Sequence, residues 1–134
     1  MPRLLKSLLL HKKPEDDWVV VVVDYTSTDV NMKEMLQEEL GTVIPWHLET
    51  ITDYPYFDRG GGLAAELAET KFQADSVFFC DADILFGSRG VLDRAVEITS
   101  QGLFYYPIFF SFALDNHSKG FWRETSYGNF ACSL

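Results

Sequence analysis

Ser76-Val77-Phe78-Phe79-Cys80-Asp81-Ala82-Asp83-Ile84-Leu85-Phe86 decides how the rest of the chain is read. Val77 to Cys80 is an unbroken run of apolar and thiol side chains, and it stops abruptly at Asp81-Ala82-Asp83. A short continuous apolar run ending in polar residues predicts a buried strand of a parallel sheet, from Ser76 to Cys80. Open α/β sheets bind ligands at the carboxyl ends of their strands. Two carboxylates spaced two residues apart at such an end suit a hard divalent cation, Mn²⁺ or Mg²⁺, held against a phosphate. The bland alternative is that Asp81 and Asp83 cap the turn or helix that follows.

Working outward, the same kind of signal recurs at Trp18 to Val23, one Trp followed by five Val. This run predicts a second strand buried on both faces, ending at Asp24. Helices are expected at Pro2 to His11, Val30 to Leu40, Leu63 to Gln73 and Arg89 to Ser100. Each carries apolar residues at helical spacing, and Gly41 and Gly102 follow two of them as stops. The second helix is expected to be capped by Thr28 or Asp29 and the fourth to face inward through Leu92, Ala95, Val96 and Thr99. Val43 to Ile51 is a weaker strand whose Pro45 suits an edge. Leu103 to Phe112 is a last strand interrupted by Pro107, and 121–134 shows no clear periodicity. Helices alternating with strands predict one α/β domain over 1–134, Rossmann-like, with a mostly parallel sheet and right-handed crossovers.

The 134 residues suffice for one domain with a core, and 47% of them are hydrophobic. A net charge of −9 argues against a nucleic-acid partner and against adsorption to an acidic membrane through a general basic field. It leaves nucleotides open, because a bound metal supplies local positive charge. No run approaches the ~20 apolar residues of a spanning helix. The opening stretch, MPRLLKSLLLHKK, lacks the continuous apolar region and small-residue cleavage site of a signal peptide. Cys80 and Cys132 are the two cysteines. Two buried thiols are the expected state, with a single bridge as the alternative.

Three places carry chemistry. Asp24, at a strand end, can accept hydrogen bonds from a base or ribose. Arg59-Gly60-Gly61-Gly62 precedes a helix, where glycines let the backbone approach an anion and exposed N–H groups favour phosphate, although a flexible turn explains the glycines equally well. No Gly-Lys-Ser/Thr follows, so this is not a Walker loop. Asp81-x-Asp83 is the third.

VVVVVDYTSTDV (19–30), FDRGGGLAAEL (57–67), FFCDADILF (78–86), and YPIFFSF (106–112) with GFWRETSYGNFAC (120–132) together resemble the metal-dependent GT-A glycosyltransferases. The likeness is strongest to the chondroitin N-acetylgalactosaminyl- and glucuronyl-transferases and their polymerising-factor relatives, and it covers roughly 4–134. It implies a UDP-sugar donor, a saccharide acceptor and Mn²⁺ or Mg²⁺. By position it implies that Asp24 contacts the uracil or ribose, and that Arg59, Gly60, Gly61 and Gly62 lie along the nucleotide. Asp81 would sit near ribose and metal, Asp83 would be the firmer metal ligand, and Trp122 would lie near the sugars. Ala64 departs from the polar residue usual after the glycine-loop Leu.

The resemblance further implies a first strand ahead of this chain's first helix, and a general base and a metal-binding His beyond its last residue. Either the 134 residues are part of a longer domain, or the sheet closes without that strand; its place would be between Val19–Val23 and Val77–Cys80. Glu124 is the one candidate base within the chain, against the reading of a solvated acid beside Arg123. Animal relatives work in the Golgi lumen and bacterial ones in the cytoplasm. Two alternatives stand beside the enzyme. One is a non-catalytic partner of an active glycosyltransferase subunit. The other is a haloacid-dehalogenase-type phosphatase, opposed by the mid-chain position of the motif and by Ile84-Leu85 after Asp83. The aromatic residues Tyr54, Tyr56, Phe57, Phe121, Trp122 and Tyr127 suit sugar stacking, although ordinary packing explains most of them.

Overall fold

The computed structural model describes residues 1–52, 61–111, 121–123 and 130–134. Its elements run α1 (Pro2–His11), β1 (Val20–Asp24), α2 (Met32–Leu40), β2 (Trp46–Thr50), α3 (Gly61–Phe72), β3 (Ser76–Phe79), α4 (Arg89–Thr99), β4 (Phe109–Ser111), β5 (Phe121–Arg123) and β6 (Phe130–Ser133). The protein is mixed α/β, as the alternation of patterns predicts.

The first half is built from local signals. Pro2 stands in the first turn of α1, whose Leu4 and Leu5 are buried, and the backbone turns extended at Lys12 just ahead of Pro14. Asn31, not Thr28 or Asp29, caps α2, its Oδ1 accepting from the Glu34 N–H at 3.3 Å. Asn is as good a cap as Asp, and it stands directly before the first helical residue. At the other end Gly41 adopts φ +53°, a conformation that a side chain resists, and its N–H donates to the Gln37 carbonyl. β1 and β2 pair in parallel with Val22 opposite Leu48. Leu5, Val22, Leu36, Leu40 and Ile44 close the core between α1, α2 and this pair. Fully burying a side chain of this kind contributes roughly 1.5–3 kcal/mol.

The second half departs from the expected mostly parallel sheet. β1–β2 is the parallel pair, while β3 pairs antiparallel with β6 and β4 antiparallel with β5. The stretch 121–134, which shows no periodicity, supplies both β5 and β6. β6 is only four residues long, and its central Ala131 exchanges both backbone bonds with Tyr105, at 2.9 Å each. Among the described residues of the strand expected over Leu103 to Phe112, that bridge and β4 form.

Burial is also thinner than the apolar runs predict. In β1 only Val22 and Asp24 are buried, and all of β3 is half-buried. Val96, expected inward on α4, is 57% exposed, whereas Ala95 and Thr99 are buried. α4 presents a narrow stripe because a small Ala and a Thr fill its contact.

Candidate functional site

Asp24 closes β1 and is buried. Its Oδ1 accepts from the Ser27 N–H at 3.2 Å and the Ser27 hydroxyl at 2.5 Å, and Oδ2 lies 3.4 Å from the same N–H. Thr26 between them takes φ +54°, left-handed for a side-chain residue, so the turn is drawn tight around the carboxylate. A carboxylate has about four acceptor positions, so Ser27 leaves part of Asp24 able to receive a ligand donor.

Asp81 and Asp83 follow β3 and are both exposed. Their turn is closed by the Ile84 N–H donating to the Asp81 carbonyl at 3.2 Å. They do not cap the next helix. Ser88 does, its Oγ accepting from the Gly90 N–H at 3.1 Å. β3 holds the turn on one side and Phe86 on the other. Phe86 is buried and meets Phe78 edge-on at 5.5 Å. Its N–H donates to Ser7 Oγ at 3.2 Å, and its carbonyl accepts from His11 Nε2 at 2.8 Å, so that nitrogen carries the proton. Ser7 and His11, residues with no recognisable signal in the sequence, thus fasten the Asp81–Asp83 turn beneath α1.

Burial, and after it the charge of Asp81, pushes the neighbouring Cys80 thiol up to about 12. Cys80 and Cys132 are both free thiols, as expected, but each is half-buried where full burial was expected.

Gly61 and Gly62 form the start of α3. Gly62 is exposed, and a Cβ added there would meet nothing within 4 Å. No internal packing requires a glycine at that position, which leaves the helix entrance open to an outside group. Arg59, Gly60 and Glu124 lie outside the described residues, as do Tyr54, Tyr56, Phe57 and Tyr127. Trp122 lies in β5 opposite Phe110.

Asp24 and the Asp81–Asp83 pair stand on different sheets, β1–β2 and β3–β6. Among the described residues no group of three or more His, Cys, Asp or Glu is placed to hold a metal. The donor set at Asp81 and Asp83 fits a hard cation that takes one or two carboxylates and fills its shell with phosphate and water, and fits no metal needing a full protein cage.

Two clusters have no forerunner in the sequence reading. Arg89 makes a two-pronged pair with Asp16, donates to the His11 carbonyl and the Asp93 carboxylate, and lies 4.8 Å from the Trp18 ring centre. Lys71 of α3 donates through Nζ to His47 Nδ1 on β2 at 3.1 Å, and His47 Nε2–H donates to Glu49 on the same strand at 3.2 Å.

No family model, curated protein or solved structure matches the chain. Among the described residues no helix is long and apolar enough to cross a membrane.

Proposed function

We propose that the chain is the donor-binding part of a metal-dependent glycosyltransferase with a Rossmann-like GT-A arrangement, moving a sugar from a UDP-sugar to a saccharide acceptor. The observation that carries this reading is the exposed Asp81-x-Asp83 turn directly after β3, pinned at Phe86 and taking no part in capping α4. In this reading Asp83 and Asp81 hold Mn²⁺ or Mg²⁺, which when bound neutralises the departing diphosphate. The N-terminus of α3, entered through Gly61 and Gly62, is the kind of backbone N–H cluster that suits a phosphate. Asp24 accepts from the ribose or base with the lone pairs that Ser27 leaves free.

Calorimetric titration of UDP with and without Mn²⁺ tests the reading. Binding that requires Mn²⁺ is the expected result, and metal-independent binding or none on folded protein overturns it.

A second reading, a non-catalytic partner subunit, is favoured by a different observation. Phe104, Tyr106 and Ile108 are each about 60% exposed and form an apolar surface beside β6. Complex formation without turnover separates it from the first.

A further inference from the structure

We infer that the Lys71–His47 hydrogen bond is a pH-operated latch. It holds the last turn of α3, and the turn from there into β3, against β2 while the imidazole is neutral, and it lets go when the imidazole takes a proton. The bond joins two elements, His47 standing on β2 and Lys71 in the last turn of α3, with Nζ and Nδ1 3.1 Å apart. An ammonium has three donors and no acceptor, so Nδ1 must offer its lone pair. Nε2, 3.2 Å from the Glu49 carboxylate, then carries the proton of the neutral ring. A second proton has one place to go, Nδ1. There it removes the acceptor and sets two cations face to face, and an imidazole gains that proton between about pH 5 and 8. Glu49 keeps its bond to Nε2–H in either state, so the ring stays on β2 while the lysine leaves.

The surroundings of the ring leave Lys71 no second anchor. Among the described residues its remaining contact is the Phe72 ring, 5.9 Å from Nζ, and no carboxylate pairs with it. Successive side chains of a strand point to opposite faces. Trp46 and Leu48 pack on the core beneath α1 and α2, so His47 and Glu49 stand on the other face, where α3 meets them. From α3 the ring meets Lys71 and Phe72, whose ring centre lies 6.0 Å away. On β1 its register partner is Val21, which has no charge. Lys33, Glu34 and Glu38 of α2 border Trp46, on the opposite face of the strand. Lys71 and Glu49 are thus the charged groups in contact with the imidazole among the described residues.

The chain just beyond the latch is built to give. Gln73 takes φ +51°, left-handed and costly for a residue with a side chain. Its N–H and that of Ala74 bond back to the Glu69 and Ala68 carbonyls at 3.1 and 3.0 Å. Ser76 then begins β3, which leads to Asp81 and Asp83. His11, the other histidine that ties two elements, is no such switch. Its Nε2 donates to the Phe86 carbonyl, and a protonated ring donates there equally well.

Amide exchange resolved by residue, at pH 8 and pH 5 and corrected for the intrinsic rate at each, tests the latch. Protection of the Phe72, Gln73 and Ala74 amides is expected to fall about fivefold in acid, while Leu36 and Leu40 of α2 keep theirs. Lys71→Met, at an exposed position, is expected to show the low protection at both pH values. His47→Asn places an amide oxygen close to where Nδ1 stands and cannot titrate, so its protection is expected to be the same at both. Nitrogen-15 shifts of the parent imidazole are expected to show the Nε2–H tautomer at pH 8. Four results overturn the latch: protection in the parent that survives at pH 5, an equal loss at Leu36 and Leu40, a loss on acidification that persists in either variant, or an Nδ1–H tautomer at pH 8.

Discussion

Arg89, the first residue of α4, grips Asp16 through two bonds of 2.5 and 2.7 Å, although the two stand 73 positions apart in the chain. The pair ties the turn after α1 to the helix after the Asp81–Asp83 turn, and the Trp18 ring covers the guanidinium at 4.8 Å. Shielding by Trp18 and a fork-to-fork geometry make this pair worth more than an exposed ion pair.

Asp16 gives the clearest dependence on pH. The Arg89 guanidinium, with help from the Lys13 N–H, lowers its carboxyl from 3.8 to about 2. The folded state therefore binds this proton less tightly than the unfolded chain. The stabilisation is fully present above the ordinary carboxylate range and is lost as pH falls through about 2. Asp16→Asn is expected to cost roughly 2 kcal/mol at pH 7. Thermal melts should show the difference from the parent shrinking steadily below pH 4, mostly lost by pH 2 and gone only below it.

At the candidate site, Asp83→Ala is expected to abolish Mn²⁺-dependent UDP binding while leaving the melting temperature unchanged. Asp83 is exposed, and substitutions at such positions fall within about 0.5 kcal/mol. Undiminished Mn²⁺-dependent affinity for UDP would remove the metal assignment.

Gly62 separates stability from binding. Alanine there meets no atom within 4 Å and replaces a poor helix former, so Gly62→Ala is expected to stabilise the fold by about 0.5–1 kcal/mol. If a phosphate rests on the α3 entrance, the same methyl weakens UDP binding. A variant that is both more stable and unimpaired in UDP affinity would place the nucleotide elsewhere.

Cys80 is expected to resist alkylation. With its thiol pushed up to about 12, chiefly by burial, iodoacetamide should modify it negligibly at pH 8. Mass spectrometry after timed quenching reads this directly, and rapid labelling of the folded protein would contradict the raised pKa of the half-buried thiol.

The elements were legible wherever their signal is local. Pro2 and the leucine stripe mark α1, Gly41 and Gly102 mark two helix ends, and the valine run marks β1 within two residues. The Asp81-x-Asp83 turn after a strand was legible for the same reason. What escaped depends on partners distant in the chain. Nothing near Phe130 signals that it will lie against Phe79, because a four-residue strand is too short to show alternation. Asp16 and Arg89 each read as ordinary surface charge until the fold brings them together. Asn31 displaced Thr28 and Asp29 as the cap because helix ends turn on a single residue's backbone angle.

The position of the main core has a consequence for how the protein opens. Leu5, Val22, Leu36, Leu40 and Ile44 all come from the first half of the chain, joined by short connections and a parallel pair close in sequence. Among the described residues the second half contributes Ala68, Phe86, Ala95 and Ala131 to the buried apolar set, of which Phe86 alone is large. Contacts of short range form early and open last. The chain is therefore expected to behave as two cooperative units of unequal strength, with the weaker one detaching while the first remains folded. The Asp81–Asp83 turn belongs to that weaker unit, so a ligand held there suppresses partial opening long before it raises the global melt.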